Sequence, residues 1–300
     1  MRRLLLIPLA LLAVAAVWAF ASGLDQDVAR WAAGWQREFQ NALAGGLRAL
    51  RAGEPGATAA LVGLCFAYGF FHALGPGHGK FLIGGYGVSN AVPLVRLSVI
   101  SLLASLGQAA TAIVLVLAGL TVLGWTRAQL TGVAETVMLP LSALAIGLIG
   151  LWIAARGARR LWRLRSAPSH DHHHHDHSCG SGCGHRHGPS AEEIREAGGI
   201  RDAAALIGGI AIRPCSGAIL LLVLTWHMDI LGAGILGAIA MSTGTAALTI
   251  LVAMSSVFLR ESALFSLSGA ARAGQILPPL EIAAGITILI VSLQMARLAI

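Results

Sequence analysis

Charge is what this 300-residue chain lacks: Asp, Glu, Lys and Arg make up 12% of it, about half the share of a soluble domain. Lysine is almost missing, with Lys80 alone beside 20 arginines. A soluble enzyme of this size is excluded, because it would have too little polar surface to cover its apolar residues. The 56% apolar content comes in runs of Leu, Ile, Val and Ala that also exclude collagen, coiled coil and disordered tail. The basic excess, a formal +7, is no sign of nucleic acid, since many arginines stand at the ends of apolar runs, where membrane orientation accounts for them. Histidine, by contrast, is abundant: there are 11, and eight fall between Ser169 and Gly188.

Runs of about 20 apolar residues mark membrane helices, and seven are present: 4–21, 57–74 with a broken continuation to 86, 97–123, 133–155, 203–226, 230–258 and 279–298. The expected fold is all-α, a polytopic transmembrane bundle in contact with the lipid bilayer. The first run, in the segment 1–22, is read as an anchor helix. A cleaved signal is its alternative, with Arg2 and Arg3 before it and Ala19-Phe20-Ala21 after. Segment 23–56 carries Trp31, Trp35, Phe39 and Leu43 at steps of four, a stripe that suits either an interfacial helix or one packed on the bundle. The run Arg156, Arg159, Arg160, Arg163, Arg165 places the N-terminus and the central loop 156–202 in the cytoplasm and the C-terminus outside.

Two stretches repeat in the same order. Gly75-Pro76-Gly77-His78-Gly79-Lys80 lies 138 residues before Arg213-Pro214-Cys215-Ser216-Gly217-Ala218, and Ser105-Leu-Gly107-Gln-Ala109-Ala110 lies 137 before Ser242-Thr-Gly244-Thr-Ala246-Ala247. The repeat unit is three membrane helices, 57–155 and 203–300. An odd number of spans makes the second copy enter from the opposite face, so the expected architecture is two inverted three-helix repeats plus the anchor. Transporters of that design bind cargo where broken helices of the two halves meet.

Both broken helices carry polar residues. In His72-Ala-Leu-Gly75-Pro76-Gly77-His78-Gly79-Lys80, Pro removes a donor and Gly frees the backbone, so the helix opens between the two imidazoles. An opening at membrane depth is tolerated only against protein or a wet cavity. His72 and His78 share no face of a straight helix, yet across an unwound turn they can converge on one metal ion. Imidazole suits nickel, cobalt, zinc and copper, and it exchanges metal for protons near neutral pH. Lys80 either modulates that site or snorkels to the interface. Arg213 falls near mid-depth, where an ionisable residue is functional by default. Cys215 and Ser216 occupy the equivalent turn of the second half, with Cys215 either a soft ligand or a packing residue. Cys65 reads as packing, although Cys65 and Cys215 together also fit a membrane thiol-redox carrier. His227 and Asp229 are an exit-side ligand pair or a solvated helix end.

The central loop contains His170, His172, His173, His174, His175, His177, Cys179, Cys183, His185 and His187. Nothing there can form a core, and the spacing fits no single tetrahedral zinc site. It reads as a multi-site, exchangeable metal collector. Ser190 and Glu193 form a capping box that leads into the next span.

The His72–Lys80 motif, the His-rich loop and the Arg213-Pro-Cys-Ser-Gly-Ala218 run together resemble the nickel/cobalt efflux permease family, over about residue 24 to the C-terminus. The related uptake permeases add an Asp before the second His, where this chain has Gly77. The resemblance implies a bacterial inner-membrane exporter of Ni2+ and Co2+, driven by proton exchange, with no permanently bound cofactor and no enzymatic activity. Uptake, or redox transfer through Cys65 and Cys215, are the alternatives. Oligomeric state is not legible.

Overall fold

A computed structural model describes residues 24–75, 78–90, 92–166, 199–266 and 270–297; within these, the side chains of 24–26, 28, 29, 78, 164–166, 263–266 and 270–277 are not described. The expected span at 4–21, with its choice between anchor and signal, lies outside the described residues. So do the capping box at Ser190 and the ten His and Cys of the central loop.

Every regular element among the described residues is helical. In chain order they are α1 (Leu24–Arg51), α2 (Ala57–Leu74), α3 (His78–Ser89), α4 (Leu94–Thr121), α5 (Arg127–Val133), a π-helical turn (Ala134–Met138), α6 (Leu139–Ser166), α7 (Ile200–Ala211), α8 (Ser216–His227), α9 (Leu231–Ser266) and α10 (Ala270–Arg297). Five described stretches are long and apolar enough to cross a bilayer, and a sixth crossing is made if α7 and α8, bent by 58°, count as one span. The chain is a multi-pass membrane protein. Helix α2 stops at Leu74 and α3 starts at His78, while α7 stops at Ala211 and α8 starts at Ser216, so the helix ends fall where the sequence places the two breaks, and each second helix has 12 residues.

Helix α6 runs on past residue 156 to Ser166. The cause is a buried acid on α10. Glu281 receives Arg156 at 3.4 Å and Arg160 at 2.5 Å, and these arginines are one helical turn apart. Arg156 also donates to Asn90 Oδ1 at 2.5 Å, and Arg260 of α9 donates to the carbonyls of Gly87 and Asn90. Cations thus close the C-terminal end of α3, where the helix leaves carbonyls unpaired.

Helix α1 runs antiparallel along α2. Gly46 faces Leu61 and Leu64, Gln36 and Gln40 each donate to the Tyr68 hydroxyl at 3.2 Å, and Trp31, Trp35 and Phe39 surround Phe71 with ring centroids 5.4–5.9 Å away. These contacts are those of a helix packed on the bundle.

The apolar interior falls into two clusters. One, at the α8–α9 end, joins Leu47, Leu61, Val116, Leu130, Leu222 and Met241. The other, at the α6–α7 end, joins Ile83, Leu97, Ile146, Leu206, Ala253 and Ile288. Both helix breaks lie between them. Helix α9 ties the two clusters together by crossing α2 where neither has a side chain: a Cβ on Gly69 would fall on the Met241 carbonyl, and one on Gly244 would fall on that of Phe66. Close approach through small residues is how membrane helices gain packing without a hydrophobic drive. The Thr245 hydroxyl donates to the Gly69 carbonyl at 3.1 Å across the same crossing.

Gly69→Val therefore forces α2 and α9 apart and costs about 1–3 kcal/mol, read as a lowered Tm of the detergent-solubilised protein by tryptophan fluorescence. Gly63→Ala, whose Cβ meets nothing within 4 Å, leaves Tm unchanged or raises it.

Candidate functional site

Between the two clusters the chain opens into a cavity of about 120 Å³. His72 at the end of α2, Lys80 on α3, and Arg213, Pro214 and Cys215 from the second break line it, together with polar residues of α4 and α9. A second cavity, of about 90 Å³, shares His72, Arg213 and Pro214 and extends toward the α8–α9 end past Glu135, Ser216 and Ile219. The two meet at the layer where both helices break. Either volume accommodates several waters, each of which occupies about 30 Å³ in the liquid.

His72 and Cys215 lie together on the wall of the larger cavity. Cys215 is the N-cap of α8, in extended backbone conformation. His72 is held from its other side. Tyr68, one turn earlier, stacks on it with ring planes 9° apart and centroids 5.7 Å apart, and Tyr68 is itself fixed by α1 through Gln36 and Gln40. An imidazole and a thiol facing one cavity offer a first-row transition ion one borderline and one soft ligand. Among the described residues no three His, Cys, Asp or Glu converge on a common metal position, so an ion bound here keeps other ligands, water included.

Lys80 is neither a snorkelling cation nor a free charge in the cavity. Its ammonium donates back across the break to the carbonyls of Leu74 at 2.8 Å and Gly75 at 2.5 Å, and is 3.4 Å from that of Ala73. It closes the end of α2, as its counterparts close α3. Arg213 lies between the two cavities and feels the charges of Cys215 and Glu135. His78 opens α3, and its side chain lies outside the description. Ser216 is the first residue of α8, exposed toward the second cavity. His227 and Asp229 sit exposed in the α8–α9 turn, where Asp229 takes a left-handed φ of 57°, and neither lines the cavities at the break. Cys65 lies in the apolar cluster, against the face of α9 at Gly237.

Several lining residues carry signals overlooked in the sequence. Ser101 and Ser105 on α4, and Thr245 and Thr249 on α9, are i, i+4 pairs within otherwise apolar helices, a polar stripe that marks a wet face. Gln108 extends the stripe and donates to the Ile210 carbonyl at 3.2 Å. Glu135 had no local signal, because its place beside Arg213 depends on a contact between distant parts of the chain.

A bundle of membrane-crossing helices, two of them broken around a shared polar cavity, defines a membrane transporter. Residues 58–187 match the NicO family, described as high-affinity nickel-transport protein. A protein of Haemophilus influenzae, provisionally named a nickel/cobalt efflux system, is 32% identical over 257 residues, which cover 81% of this chain and 76% of that protein. No solved structure matches. The chain belongs to the NicO family of nickel/cobalt transporters.

Lys80→Ala strips three carbonyls at the end of α2 of their charged donor. The expected loss is about 1.5–3 kcal/mol, seen as a lowered Tm, with Lys80→Arg retaining part of it.

Proposed function

We propose that this chain exports nickel and cobalt ions from the cytoplasm across the bacterial inner membrane, in exchange for protons, and so confers tolerance to those metals. The observation that carries the reading is the meeting of two cavities at His72, with Cys215 beside it in the larger one. A transporter needs one binding position reachable from two sides, and His72 has a cavity toward each end of the bundle.

In this reading the cytoplasmic loop, with His170, His172–His175, His177, Cys179, Cys183, His185 and His187, gathers the ion. The larger cavity admits it past the Ser and Thr stripe. His72 and Cys215 bind it, joined by His78 from the start of α3 and by water. Protonation of imidazole removes the lone pair that holds the metal, so protons entering from the far side favour release. Gly77, in place of the carboxylate of uptake permeases, leaves a weaker site suited to letting go, and the name of the Haemophilus relative supports the same direction.

The two halves, α2 to α6 and α7 to α10, act as inverted repeats. Three observations support this. His78 and Ser216, equivalent in the repeat, both open 12-residue helices. Each Ser-x-Gly patch packs on the broken helix of the other half: Gly244 and Thr245 meet α2 at Phe66 and Gly69, while a Cβ on Gly107 would come within 2.6 Å of the Ala211 Cβ on α7. The third-helix pair, α6 and α10, packs together along most of its length.

The test is metal accumulation in a strain lacking the protein. Such cells should hold more cobalt and nickel, the native chain should restore the lower level, and His72→Ala or Cys215→Ser should fail to restore it. Purified Co2+-loaded protein should also lose near-ultraviolet sulfur-to-cobalt absorption when Cys215→Ser is made in a chain without Cys179 and Cys183. Full restoration by both variants would remove the pair from the pathway, and lower metal in the deletion strain would reverse the direction.

A further inference from the structure

We infer that the cavity toward the α8–α9 end is a second cation station on the transport path, with the Glu135 carboxylate as its charged ligand. The inference deepens the transport reading and takes its cargo, a divalent first-row transition ion, from it. The cavity begins at His72, Arg213 and Pro214, which it shares with the larger one. An ion leaving the break on this side therefore enters it directly. Among the described residues lining the two cavities, Glu135 is the one carboxylate.

Its position is built rather than incidental. Glu135 is the second residue of the π-helical turn Ala134–Met138. Pro140 stands two residues beyond that turn. In a regular α-helix its ring would strike the carbonyl of Thr136, four residues back, and the wider turn relieves the clash. Isolated π turns concentrate at functional sites. This one inserts an extra residue into the helix wall and sets Glu135 on the face lining the cavity, next to Thr131. The Thr131 hydroxyl donates to the carbonyls of Arg127 and Ala128, which leaves its oxygen lone pairs available. Ser216 adds another hydroxyl from the start of α8.

Charge gives the station its purpose. Arg213 lies where the cavities join, so a dication crossing there is repelled by the guanidinium. The Glu135 carboxylate, which lines the same cavity as Arg213, offsets that repulsion on the far side. One carboxylate with hydroxyls and water holds a first-row ion more weakly than an imidazole with a thiol. The ion thus steps from a tighter position to a looser one before it leaves.

Footprinting of two native side chains in the same full-length, detergent-solubilised sample tests this. Carbodiimide coupling reports on Glu135 and alkylation on Cys215, both read by peptide mass spectrometry across a Ni2+ titration. The expected result is protection of both, with Glu135 slowed about tenfold at a Ni2+ concentration about ten times its own midpoint, that midpoint being higher than the one for Cys215. Glu54 and Glu261, exposed as Glu135 is but lining neither cavity, stay unprotected. Protection of Cys215 without any at Glu135 overturns the station and leaves the central pair standing. A single midpoint shared by both means that binding at the centre merely closes the cavity, and overturns the station as well. Protection of neither removes the central pair and the station together.

Discussion

Backbone amides and carbonyls inside a bilayer have no water to turn to, so a helix opened at that depth must find its partners in the protein. This constraint organises the molecule. Lys80 satisfies the carbonyls where α2 stops. Arg156 and Arg260 gather the end of α3 through Asn90 and the nearby carbonyls. At the second break, Cys215 stands as the N-cap of α8. The few charges in the spanning region are therefore concentrated where helices end, and Glu281 is buried because the arginines that close α3 need a counter-charge.

Separating the apolar interior into two clusters has a mechanical consequence. Each cluster is close-packed, and packed cores pass between discrete arrangements rather than deforming continuously. The layer between them is polar, thin and cavity-bearing, which makes it the place where access to His72 can change from one side to the other. Helix α9 crosses this layer in contact with α2, α3 and α4. Its Gly69–Gly244 crossing puts backbone against backbone, a joint with little side-chain interlock to resist sliding. The Tyr68 stack couples His72 to α1 as well, so the amphipathic helix outside the repeats reaches the binding residue through one ring and two glutamines.

Much of this was legible residue by residue. Low charge with long apolar runs specified a membrane bundle, and Gly-Pro-Gly and Arg-Pro-Cys announced the two breaks, because proline and glycine act on their own backbone. The candidate pair His72 and Cys215 was reachable too, through the repeat. Lys80 misled. As the single lysine beside two histidines it looked like a modulator of the site or a snorkelling interface residue, whereas its hydrogen bonds go to carbonyls five to seven positions earlier, a geometry that exists only once the helix has turned. That the helix continues past 155 was not legible, because its arginines look like loop until their acid is found 121 residues away on α10.

Local chemistry therefore determined, from the sequence by itself, that the chain is a membrane bundle with two interrupted helices and that histidine and cysteine stand at the interruptions. Each of those features depends on neighbours within a few residues. The tertiary structure alone decided which side chains are brought together: His72 and Cys215 on one cavity, Arg213 and Glu135 on the other, Glu281 with Arg156 and Arg160. Those pairs join segments far apart in the chain, and the helix rotation that aims each side chain is set by packing on other helices. No local pattern records it.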